Sequence, residues 1–275
     1  MRYRWFLACL VLASLGWNDL VAADEAKEQA GLSELSLQVN ALQTLYEFEF
    51  TPAQMQAVLK LVRQSAAKPA VLPGVQATDK YRQTLTQLRD ALIDANDSDR
   101  ISSLQEKLGD LDDSEDPKLD NDVEITAAAR RLAPEALKLL KPRQVTSFLD
   151  ANQDVYSDPL ELLLKGLDQS QTLADDDWKA LVRETVDEVG WLLGGLDRKK
   201  VRTVEQKVEQ WLSQVRGLKE AEFKKRRADL EQAARQYVGL VPPTAVLHNI
   251  AERALAELLA NPQSAAALEA RLKDR

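Results

Sequence analysis

Residues 150–161 read DANQDVYSDPLE and set five oxygen-bearing side chains at the intervals of a calcium loop. Asp150, Asn152, Asp154, Asp158 and Glu161 stand at positions 1, 3, 5, 9 and 12. Calcium takes about six to eight oxygen ligands, so this register would supply much of a coordination shell. Two features point elsewhere. Val155 occupies the position where the sharp turn calls for glycine, and Asp158-Pro159 with Glu161 is itself a helix-start signature. The segment is read as a helix-to-helix connection, with the five residues retained as its calcium candidates.

Other groups with reactive potential are sparse. Asp110, Asp112, Asp113, Glu115, Asp116, Asp120 and Asp122 make an acidic stretch that would attract divalent cations, but such runs are ordinarily solvated. His248 is the only histidine; Glu252, four residues on, shares its helical face, and together they are a fragment of a metal site, so His248 is read as an ordinary helix residue. The basic runs at 198–200 and 224–227 distribute their charges around helices and are read as solvated faces. Nucleophile elbows, glycine-rich phosphate loops, HExxH and paired CxxC motifs are missing from the sequence. Cys9 is the only cysteine. The sequence therefore predicts no enzyme, no catalytic residue and no cofactor. A hydrolase built on two converging carboxylates is the third-ranked reading, because sequence alone does not pair acidic side chains in space.

The elements that would position these groups are helices. Glycine and proline number 10 each in 275 residues, aromatics make up 5%, and alanine, leucine, glutamate, glutamine, lysine and arginine dominate. Leu32, Leu35, Val39, Leu42 and Leu45 recur at helical spacing; so do Met55, Val58, Leu59 and Val62, and Tyr81, Leu85, Leu88 and Leu92. Ile101, Leu104, Leu108 and Leu111 continue the pattern. Val201, Val204, Val208, Trp211, Val215 and Leu218 alternate by three and four, a seam for a partner helix within the same chain. No segment shows strand alternation bounded by turn signals. The fold class predicted is all-α: helical hairpins or a bundle, with a further C-terminal helical region.

Helix starts carry the most regular local signal. In FTPAQ, Thr51 is the N-cap, Pro52 takes the first helical position and Gln54 the third, a capping box flanked by Phe50 and Met55 as a hydrophobic staple. LKPRQ repeats the frame with Leu140, Pro142, Gln144 and Val145, but Lys141 offers no capping oxygen. The two motifs resemble the LTxxQ pattern of the Spy/CpxP periplasmic family, over about residues 45–150. That resemblance implies a curved helical scaffold, often a dimer, that binds unfolded proteins or serves envelope-stress and metal-resistance responses.

The first residues look like an address. MRYR is basic, WFLACLVLASL is apolar over 11 residues and VAADEAKE places small residues before an acidic start, as in a secretory signal cleaved after Ala23. A membrane span needs about 20 apolar residues, so no stable span is expected. The formal net charge of −8 becomes one unit more negative without residues 1–23, which argues against nucleic acid as a partner. The expected organisation is a signal peptide over 1–23, a polar leader over 24–31, a Spy/CpxP-like helical region over 32–155 and a C-terminal helical region over 156–275. The expected function is that of an exported periplasmic or secreted helical protein that holds a protein partner or unfolded client. The alternative is a structural or assembly protein of the envelope, acting as a homo-oligomer through helices such as 201–218.

Overall fold

The computed structural model describes residues 31–65, 77–115, 123–153 and 156–273. Every regular element among them is a helix: α1 over 31–47, α2 Pro52–Ser65, α3 Asp79–Asp94, α4 Ser98–Glu115, α5 Ala127–Lys138, α6 Pro142–Ala151, α7 Pro159–Gln169, α8 Asp175–Gly194, α9 Arg198–Arg216, α10 Glu220–Gly239, α11 Pro243–Ala260 and α12 Ser264–Lys273. The protein is all-α, as its periodicities predict.

Two compact units divide the chain, and not at residue 155. The first unit holds residues up to Tyr46, then Phe50–Thr126, then Leu258 onward; the second holds Glu47–Glu49 and Ala127–Glu257. The C-terminal end returns to the first unit through α12. Its Ser264, Ala267, Leu268 and Arg271 are buried, and the helix packs on α2 and α3.

In the first unit, α1 is the most enclosed helix. Leu32, Leu37, Val39, Ala41, Leu42 and Leu45 are buried, and Ser33 and Ser36 with them, so the helix is covered on several sides. The α3 stripe Tyr81, Leu85, Leu88 and Leu92 is buried as its spacing predicts, and α4 packs against α3 through Ile101, Leu104 and Leu111. Short polar side chains tie the α11–α12 corner. Asn261 donates from Nδ2 to the Leu37 carbonyl at 2.8 Å and accepts the Gln263 amide at 2.8 Å, while Ser264 Oγ donates to the Leu258 carbonyl at 2.6 Å.

In the second unit, α7 is the hub, packing on α8, α9 and α10. Its Leu163 and Leu167 are fully buried, and Gly166 admits Leu212: a Cβ there would stand 3.0 Å from Leu212 Cδ2. The α8–α9 hairpin closes more tightly still. A Cβ on Gly190 would meet Glu205 Cγ at 2.7 Å, and one on Gly194 would meet the Val201 backbone nitrogen at 2.6 Å. Gly195 turns the chain at φ 62, a left-handed conformation that a side chain would strain. Beside it Asn249 of α11 donates to the Leu192 carbonyl at 2.8 Å. The 201–218 seam finds its partners inside the chain: Val208, Trp211, Leu212 and Val215 are buried in this unit, where α9 packs on α8 and α7.

Candidate functional site

The FTPAQ and LKPRQ segments are built differently. At α2, the Thr51 amide donates to Gln54 Oε1 at 2.9 Å and the Gln54 amide reaches Thr51 Oγ1 at 3.4 Å, the reciprocal pair of a capping box at an exposed helix start. Pro52 is the first helical residue, and the flanking Phe50 and Met55 are both buried. At α6, Lys141 has no acceptor to offer, so only the return bond forms, from the Lys141 amide to Gln144 Oε1 at 3.0 Å. Pro142 again opens the helix.

Gln144 is buried and does more than cap. Its Nε2 donates to the carbonyls of Phe48 and Glu49, both at 2.9 Å. Those carbonyls belong to the turn that ends α1. Glu49 sits at φ 50, and the Phe50 amide bonds the Leu45 carbonyl at 3.3 Å, the wrap of a left-handed C-cap usually given to glycine. One side chain thus uses its whole carboxamide on backbone. It is a structural clamp rather than a ligand site.

The calcium candidates do not meet as a set of free ligands. Asp150 lies exposed near the end of α6; Asn152 caps that helix, and its Nδ2 donates to the Phe148 carbonyl and to Glu47 Oε2, both at 2.9 Å. Asp158 is the N-cap of α7 and accepts the Leu160 amide at 2.7 Å, and Glu161 is exposed in the first turn. Asp154 lies outside the described residues. In the acidic stretch, Asp110 and Asp112 are exposed on α4; Asp116, Asp120 and Asp122 lie outside the described residues. Among the described residues no three acidic, histidine or cysteine side chains are grouped to hold a metal ion.

His248 is exposed on α11. Burial raises the Glu252 carboxyl above the ordinary value, and the charge of His248 partly offsets that rise. The basic run of α10 is engaged by acids: Lys224 with Glu220 at 2.6 Å, Arg226 with Glu222 at 3.6 Å, and Arg227 with both Glu231 at 3.0 Å and Asp168.

Sequence reasoning missed an aromatic cluster in the second unit. Phe48 and Phe148 stack with centroids 4.0 Å apart, Tyr156 lies 6.4 Å from Phe148, and Trp191 meets Tyr156 edge-on at 6.0 Å. The Arg253 guanidinium stands 4.3 Å over the Trp191 ring and donates to Glu257 at 2.8 Å, while the Trp191 indole donates to Glu188 at 2.9 Å. Burial, then the charges of Glu257 and Glu47, push the Tyr156 hydroxyl up to about 12; Arg253 opposes them and Glu188 adds to the rise. A phenol so held stays neutral through the physiological range and is no base or nucleophile. The cluster's members come from widely separated positions between 47 and 257, so no local spacing announces it.

A groove of about 550 Å³ runs along α8 and α9. Trp178, Val182 and Val186 form its floor at intervals of four. Lys179, Arg183 and Asp187 line one rim, and Glu205, Gln206, Glu209 and Ser213 the other. Lys179 pairs with Asp176 at 2.9 Å; among the described residues Arg183, Asp187, Glu205 and Glu209 have no ion-pair partner. Floor and rims together can hold a polypeptide side-chain row. They present no nucleophile beside a base and no enclosed chamber.

Comparisons with family models, with curated proteins and with solved structures return no match. No helix among the described residues is long and apolar enough to cross a membrane.

Proposed function

We propose that this chain is an exported, non-catalytic helical scaffold that works by holding a protein partner, related in its N-terminal part to the Spy/CpxP helical family. The α8/α9 groove is the observation that carries the reading. An apolar floor bounded by charged rims, in which Arg183, Asp187, Glu205 and Glu209 have no ion-pair partner among the described residues, suits a polypeptide segment, which offers side chains to the floor and charges to the rims. The signal-like residues 1–23 support export to the periplasm or the exterior. The FTPAQ and LKPRQ segments support the family relation.

The test is aggregation suppression. Residues 24–275 are mixed at rising ratio with an unrelated denatured protein and followed by light scattering, beside an inert acidic protein. Dose-dependent suppression above that control, diminished by Val182→Glu on the groove floor, is the expected result. No suppression at several-fold excess sinks the client-holding activity.

A further inference from the structure

We infer that the polypeptide segment taken by the α8/α9 groove is a cationic one, an extended stretch that sets a Lys or Arg two residues from an apolar side chain. The inference rests on the client-holding reading and names the chemistry of the client. Trp178 and Val186 are buried at the bottom of the groove, and Val182 between them is half-buried. Close approaches fix the register of the walls: Gly190 lies against Glu205 and Gly194 against Val201, so the two helices run antiparallel. Glu205 and Glu209 therefore stand toward the Asp187 end, and Ser213 falls toward the Trp178 end.

Charge on this lining is unbalanced once internal pairing is counted. Lys179 is held by Asp176 at 2.9 Å. Among the described residues Arg183 is then the one lining cation without an ion-pair partner, against three such carboxylates, Asp187, Glu205 and Glu209. Glu205 is pressed along α8, its Cγ 2.7 Å from where a Gly190 Cβ would stand. It is half-buried, and among the described residues it has neither a hydrogen bond nor an ion pair. A carboxylate so placed draws a counter-charge more strongly than one in open water. The basic run at 198–200 is outside the lining, and the formal net charge of −8 adds a long-range field of the same sign as the three acids.

Spacing selects the form of the occupant. The five residues from Val182 to Asp187 rise about 7.5 Å along α8, and two residues of extended chain cover about 6.7 Å. An apolar side chain set on Val182 therefore brings the side chain two residues on, which points the same way, to the Asp187 end. A Lys or Arg there lays its methylene stem over the floor at Val186 and carries its charge to the carboxylates.

Fluorescence anisotropy of short labelled peptides on residues 24–275 tests this, with leucine at alternate positions and arginine, serine or glutamate between. The expected order is arginine over serine over glutamate, with roughly tenfold or more between the extremes. Glu205→Gln with Glu209→Gln is expected to remove most of that preference and to leave the serine peptide's affinity in place. Glu106→Gln with Asp110→Asn, two exposed acids of α4, neutralises as much charge elsewhere and is expected to keep the preference. Circular dichroism checks that both doubles fold. Equal binding of all three peptides, or preference for glutamate, overturns the inference and keeps the client-holding reading. A preference that survives Glu205→Gln with Glu209→Gln, or that the α4 double removes equally, also overturns it. Binding of none of the peptides sinks the groove reading along with it.

Discussion

Gln144 and Gln54 occupy the same place in two similar motifs and carry unequal loads. Gln54 closes a solvent-exposed capping box. Gln144 is buried, and its removal leaves the Phe48 and Glu49 carbonyls and the Lys141 amide short of a partner. An unmet buried polar group costs about 1–3 kcal/mol, whereas a lost exposed cap costs about 1 kcal/mol or less. Urea unfolding followed by circular dichroism is therefore expected to rank Gln144→Ala well below Gln54→Ala in stability; equal losses would refute the clamp. Tyr156 makes a second prediction. With its folded pKa about 12 against an ordinary 10, the native state holds the phenolic proton more tightly than the unfolded chain does. Its contribution is fully present below about pH 10 and is lost as pH rises from about 10 to 12. Alkaline unfolding of Tyr156→Phe is expected to lack that part of the pH slope, and an unchanged slope would assign it to other groups.

At the scale of elements, Arg216 joins the end of α9 to the α7–α8 connection. Its guanidinium donates to the carbonyls of Ser170 and Leu173, the latter at 2.9 Å, bonds Asp175 at 2.9 Å and lies 5.6 Å from the centre of the Trp178 ring. A planar fork reaches two carbonyls and an acid at once; an ammonium on a flexible stem does not. Arg216→Lys is expected to cost about 1–3 kcal/mol in unfolding free energy. Asp175→Asn, which touches only the 85%-exposed acid, is expected to cost about 1 kcal/mol or less. Urea titration of the two variants side by side checks the order. The helices themselves are legible because each buries one face, and period 3.6 survives in the sequence. The Thr51 and Asp158 caps are legible because they are local. The reach of Arg216 across more than forty residues to bare carbonyls is not, since a carbonyl has no sequence signature.

At the scale of the whole molecule, the same limit explains the position of the domain boundary. A break near 155 follows a change in helix length and composition, whereas the compact units follow packing. Nothing in SAAALEARLK marks it as belonging with α2 and α3; its packing on both, with Arg63 of α2 meeting Glu269 at 2.8 Å, shows that it does. The candidate groove is half legible. The spacing of Trp178, Val182 and Val186 can be read as a stripe, but which α9 residues stand opposite it depends on packing. That arrangement of units also has a temporal meaning. A ribosome makes the chain from its N-terminal side, so the second unit is complete once Glu257 has been added, while the first has only its opening helices. Those helices must wait, unfinished, for α12 to be synthesised before it can close over α2 and α3.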